Sequence, residues 1–183
     1  MKETVAAERY STGAIWFHWI IAILIIFNLI VGIFHDAVPA LKPLMGAHMA
    51  VGITVLVLTL ARIAWRLGHR PPPFAESMAA WERTAATTVR RIFYALLLLM
   101  PLSGWIMVSN GRHPHPINWF SVFNVPALTL SPAARQPADT THLVLGYLFA
   151  ALVVVHIAAA LRHHFLLRDS VLGRVIPGLA PRR

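Results

Sequence analysis

Residues 142–156, HLVLGYLFAALVVVH, carry a histidine at each end and no charge between them. On an α-helix, positions 14 apart fall about 40° short of four full turns and about 21 Å apart along the axis. Both rings therefore lie on one helix face, near opposite surfaces of a membrane-thick slab. A single metal ion cannot serve both, because its protein ligands lie ~2 Å from it. Each ring needs a partner at its own depth.

The rest of the chain supplies the slab. Its 183 residues are 57% apolar and 13% charged, with a mean hydropathy of +0.64, whereas soluble domains carry about a quarter charged residues. Four apolar blocks hold the excess, 14–34, 46–67, 92–108 and 143–161. Each is near the ~20 residues that a helix needs to cross a ~30 Å hydrocarbon core. The first is too long for the h-region of a cleaved signal and no small-residue cleavage site follows it, so it is expected to stay as a helix. The expected fold is an all-α membrane protein, a four-transmembrane-helix bundle. It forms a single integral membrane domain over 1–183, with helices at about 14–35, 46–68, 91–109 and 140–167.

Charge sets the expected orientation. Residues 1–13, 62–91 and 162–183 together hold 13 of the 16 Lys and Arg, and only Lys42, Arg112 and Arg135 fall on the other side. By the positive-inside rule both termini face the cytoplasm. The net charge of +9 is thus mostly topological and gives no support to nucleic-acid binding, since the basic residues flank apolar spans. Residues 76–91 are mixed and suit an interfacial helical turn or two. The loop 109–138 is too irregular to span and is expected to cap the bundle on the outer side. A basic tail over about 170–183, with Pro177 and Pro181, is expected to be disordered.

The chain has no cysteine, which excludes iron–sulfur clusters, disulfides and covalently attached haem. Ten histidines remain. His18 enters the first helix from the cytoplasmic side about one turn in, level with His156 near the end of the fourth. His48 opens the second helix on the exterior side, level with His142. Two pairs result, His18 with His156 and His48 with His142, each calling for a cofactor broad enough to sit between helices and take one axial nitrogen from each. Haem b meets that requirement. A lone membrane histidine is more often a packing residue, but four at paired depths on three helices point to function, since ionisable groups in hydrocarbon are costly. A neutral imidazole ligates without burying charge.

Other residues carry alternatives. Arg62 lies 14 residues beyond His48, on nearly the same face and at the inner depth, where it suits a haem propionate or a quinone carbonyl; snorkelling toward headgroups is the plainer role. His163 and His164 sit at the cytoplasmic interface, as quinone or propionate contacts or as simple anchors. His35, His69, His113 and His115 fall in loops. Gly46, Gly52 and Gly146 lie near the ligands and would let a flat macrocycle or a neighbouring helix approach.

The motifs "IWFHW", "GAHMAVG", "MPLSGW" and "THLVLGY...VVHIAAALRHHF" together resemble the prokaryotic cytochrome b561 family over nearly the whole chain. The resemblance implies a multi-pass protein of the bacterial cell inner membrane, with two non-covalent haem b groups on His18, His48, His142 and His156. It also implies electron transfer between the ubiquinone pool and a second redox partner, either a protein or, in one branch, superoxide. A cytochrome b anchor subunit of a hydrogenase or dehydrogenase complex is the alternative, and a homodimer stays open. Thr87 and Arg90 stand where many relatives carry histidines. The weakly basic exterior face, with Asp36 and Asp139 among its charges, departs from what a superoxide site calls for.

Overall fold

The computed structural model describes residues 9–69, 71–74, 78–110, 113–129, 135–169 and 171–176. Four helices, α1 (Thr12–Phe34), α2 (Met45–Gly68), α3 (Ala80–Ser109) and α4 (Arg135–Arg162), form the bundle. All are long and apolar enough to cross a membrane. Consecutive helices pack on one another and α1 also meets α4, which closes the ring.

The helix starts follow from local chemistry. The Ser11 hydroxyl caps α1 by accepting from the Ala14 N–H at 3.4 Å and also accepts from the Trp65 indole at 3.2 Å. This satisfies one of the orphan donors of a first turn and ties α1 to α2. A Cβ on Gly13 would come within 2.5 Å of Trp65, so this contact needs glycine. α3 begins eleven residues before the expected 91, as one unbroken helix from Ala80. The cause is Glu82, whose carboxylate accepts from the Ala79 N–H at 3.0 Å and holds the mixed segment helical. Pro101 does not break α3. α4 starts at 135 and not at 140, and its last expected turn, His163–Leu167, is π-helical.

Where a shapeless cap was expected, the loop between α3 and α4 holds a hairpin, β1 (Ile117–Trp119) against β2 (Phe123–Val125), antiparallel. Phe120 and Ser121 take positive φ in its turn, while the Asn118 side chain accepts from the Ser121 N–H at 2.8 Å. The strands are only three residues each, so alternation is too brief to show in sequence. The Trp119 indole donates to the Thr54 hydroxyl of α2 at 3.0 Å, which fastens the hairpin to the bundle.

The segment after Arg168 also departs from expectation. Arg168 adopts φ 52°, a left-handed conformation that costs a non-glycine residue roughly 1–2 kcal/mol. The reversal folds 171–176 back on the bundle. There the Val175 carbonyl accepts from the Trp19 indole at 2.8 Å and Arg174 donates to the Pro73 carbonyl at 2.6 Å. The remainder of the expected tail, 177–183, lies outside the described residues.

At mid-height the four helices meet in an apolar layer of Ile21, Ile25, Val51, Val55, Leu96, Leu97 and Phe149. Val55 is 0% and Phe149 1% exposed. Large apolar side chains such as Ile23, Val57, Leu99 and Val154 face outward, as the lipid-facing side of a membrane bundle requires.

Candidate functional site

Val55 and Phe149 each lie seven residues from histidines on their own helix, so the apolar layer separates two polar levels. At one level the His48 and His142 rings face each other with centroids 6.3 Å apart and planes at 83°. At the other, His18 and His156 stand 6.4 Å apart at 72°. A metal–imidazole bond of about 2 Å, plus about 1.1 Å from nitrogen to ring centre, puts coaxial imidazoles on one metal about 6.2 Å apart. Both pairs fit that dimension. Among the described residues no group of three or more His, Asp or Glu converges on a metal position.

The His48/His142 pair is oriented by backbone carbonyls. His48 Nδ1 lies 3.1 Å from the Asn28 carbonyl oxygen, and the Asn28 amide donates back to the His48 carbonyl at 3.2 Å. His142 Nδ1 lies 3.2 Å from the Met100 carbonyl oxygen and 3.1 Å from Ser103 Oγ, whose own hydroxyl donates to Met100 at 2.8 Å. A carbonyl can only accept, so Nδ1 carries the proton in each ring and Nε2 keeps its lone pair for a ligand.

A shared device makes this reach possible. Asn28 and Met100 are the residues four before Gly32 and Gly104, so each accepting carbonyl sits beside a glycine one turn on. A Cβ on Gly32 would lie 2.9 Å from His48 Cε1, and one on Gly104 would lie 2.8 Å from His142 Cε1. Only a bare helix surface lets the imidazole edge approach its acceptor. The expected glycines do less. A Cβ on Gly46 would meet nothing within 4 Å, one on Gly52 would lie 3.7 Å from the Asn28 amide nitrogen, and one on Gly146 would lie 3.3 Å from Met100 Cε.

The His18/His156 pair is flanked by aromatic rings. Trp19 stands edge-on to His18 at 5.3 Å and Phe93 to His156 at 5.1 Å, while Phe93 also meets Phe149 of the mid-layer at 5.9 Å. The Arg62 guanidinium lies over the Tyr94 ring of α3 at 5.6 Å, a cation–π contact. It lies within electrostatic range of His18. Thr59, on the same face of α2, is 0% exposed and its hydroxyl has no partner among the described residues.

His163 and His164 part company. His163 Nδ1 pairs with Asp169 Oδ2 at 2.5 Å, whereas His164 packs edge-on against Phe165 at 4.8 Å. Asn28, Ser103, Gly32, Gly104 and Asp169 were not anticipated as site residues. The available signals were glycines inside apolar helices, which cost about 1 kcal/mol against alanine and so ask for a packing reason, and a lone acid in a basic tail.

Four membrane-length helices that present facing imidazoles at two depths have the architecture of a membrane cytochrome b. Comparison with known proteins specifies it further. The chain belongs to the prokaryotic cytochrome b561 family, whose model matches residues 9–178. It is 30% identical to cytochrome b561 homolog 2 of Escherichia coli (strain K12), over 96% of this chain and 95% of that protein. It is 28% identical to the probable superoxide oxidase CybB of Yersinia pestis, over 93% and 97% of the respective chains. With cytochrome b562 of Cereibacter sphaeroides it shares 29% identity, over 91% and 94%. It is thus a multi-pass protein of the bacterial inner membrane that carries electrons with haem b as its cofactor.

Proposed function

We propose that the chain, a single membrane domain with both termini in the cytoplasm, passes electrons from superoxide at its outer end to ubiquinone at its inner end. His48 and His142 hold one haem b, and His18 and His156 hold a second. The observation that carries this is the pair of imidazole separations, 6.3 and 6.4 Å, at opposite ends of α4. Bound there, haem b supplies a one-electron centre at each level. The similarity to a probable superoxide oxidase supports the choice of donor.

The residues have separable tasks. A haem iron held by two imidazoles at each level would have no open coordination position for oxygen. The Asn28 and Met100 carbonyls fix the outer rings. The mid-layer keeps water away from the interval between levels. Arg62 and the Thr59 hydroxyl serve the polar edge of the inner cofactor, and His163 faces the quinone. Arg62→Gln is expected to lower the midpoint potential of the inner centre, since one charge about 10 Å from a redox centre at an effective dielectric near 20 is worth roughly 70 mV. Potentiometric titration of the purified variant checks this, and an unchanged potential removes Arg62 from the site.

The reading is tested on purified protein by optical and EPR spectra together with anaerobic ubiquinone reduction driven by a superoxide source. Near-perpendicular imidazole planes leave the ferric iron orbitals almost degenerate, so both centres should give strongly anisotropic low-spin signals. Absence of a reduced b-type α-band would sink the haem assignment. Ubiquinone reduction that depends wholly on a copurifying peripheral dehydrogenase subunit would replace superoxide oxidation with the role of a membrane anchor.

A further inference from the structure

On α4, His163 follows His156 by seven residues, so the two share a face within about 20° and stand about 10 Å apart along the axis. The stretch that leads from them to Asp169 is unusual in two ways. Residues His163–Leu167 form a π-helical turn, a feature that gathers at functional sites. Arg168 then takes a left-handed conformation at φ 52°, which is tolerated only where the surroundings impose it. Together these bring Asp169 back over the helix end, where its N–H donates to the His163 carbonyl at 3.2 Å.

The carboxylate is fixed at both oxygens. Oδ2 takes the His163 Nδ1 contact at 2.5 Å and Oδ1 accepts from the Val171 N–H at 3.0 Å. The fold-back that holds it is itself tied to α1 through the Trp19 indole and to the α2–α3 connection through Arg174. The side chains of His163 and Asp169 are 17% and 22% exposed, at the boundary where water reaches one edge of a ring and the bundle the other. With Nδ1 committed to the carboxylate, Nε2 is the nitrogen left to exchange protons.

From this geometry, and resting on the quinone role proposed above, we infer that the His163–Asp169 pair is the proton donor for ubiquinone at the cytoplasmic end. Ubiquinone becomes ubiquinol by taking two electrons and two protons, one O–H bond forming at each carbonyl oxygen. The electrons come from superoxide, each of two molecules giving one and leaving as dioxygen. The apolar mid-layer offers no proton, so both must enter from the cytoplasm beside the inner pair. An imidazole can exchange a proton at one nitrogen while the other stays bonded, and so serves as such a relay. His163 Nε2–H gives its proton to a quinone oxygen, the ring stays bonded to Asp169 through Nδ1–H, and cytoplasmic water restores the Nε2 proton.

The test uses the full-length, haem-loaded protein, chemically reduced and mixed anaerobically either with ubiquinone-1 or with ferricyanide, which takes an electron and no proton. For Asp169→Asn and His163→Gln, haem content and ferricyanide reoxidation should match wild type. Reoxidation by ubiquinone-1 should slow roughly 100-fold in both, the scale of positioned acid catalysis, while equilibrium binding of ubiquinone-1 to oxidised Asp169→Asn is unchanged. Formate should restore the Asp169→Asn rate, and Asp169→Glu should retain most of it. Wild-type reoxidation rates in both loss variants would overturn the inference. So would a slowing that also affects ferricyanide, or one that formate and Asp169→Glu fail to relieve, since the pair is then a clasp for the fold-back. Wild-type protein that reduces ferricyanide but not ubiquinone-1 would overturn the quinone role itself.

Discussion

His48→Ala is expected to halve the haem content of the purified protein, removing the outer centre and leaving the inner one with its spectrum intact. Each ring faces the partner at its own level, 6.3 Å away for His142. His142→Ala should therefore do the same, and the double variant should lose no more than either single one, because both act on one shared ligand. His18→Ala and His156→Ala should remove the inner centre instead. A pyridine haemochrome assay per mole of protein, with EPR to show which signal has gone, decides the matter. Full haem content in His48→Ala would mean that the pairs do not bind separate cofactors.

Gly104→Val carries the second large effect without touching a ligand. Its Cβ would lie 2.8 Å from His142 Cε1 and 3.2 Å from Nδ1, closer than real side chains pack, and the γ-methyls add to the clash. The ring must swing away from the Met100 carbonyl and lose its orientation. Loss of such a supporting contact typically costs 10–100-fold in metal affinity, so the outer site should lose haem by about that factor in equilibrium titration while the inner site keeps its own. Gly32→Val should act alike through His48. Gly68→Ala, where a Cβ meets nothing within 4 Å, is the matched control and should titrate as wild type.

The contrast between these two predictions marks what the sequence makes legible. The four imidazoles are readable because helical spacing converts residue number into depth and face, and chemistry-bearing side chains in hydrocarbon are conspicuous. Arg62 is readable as to level for the same reason, but its rest against Tyr94 is not. The acceptors are backbone carbonyls of Asn28 and Met100, which every residue owns, so only the crossing of α1 with α2 and of α3 with α4 selects them. The glycines that matter lie on the helices facing the ligands, whereas inspection of the ligands' own neighbourhoods pointed to Gly46, Gly52 and Gly146. Asp169 is six residues from His163 along the chain, and ordinary helical geometry would carry it away. A π turn and a left-handed arginine, neither of which sequence pattern announces, reverse that. The span positions were predictable from hydropathy, but the start of α3 was set by one carboxylate, Glu82, acting on one N–H.

The apolar layer around Val55 and Phe149 has an electrical meaning. On the proposed route the layer would pass electrons between the levels without a protonatable side chain of its own, so each inward transfer would move uncompensated negative charge across a dielectric. In an energised bacterium, negative inside, that movement works against the field by up to about 2.3 kcal/mol per 100 mV. Turnover in vesicles should slow when an inside-negative potential is imposed and recover when an ionophore collapses it. Seven side chains would thereby make a small electron carrier on that route a voltage-sensitive one, its rate set in part by how well the cell is respiring.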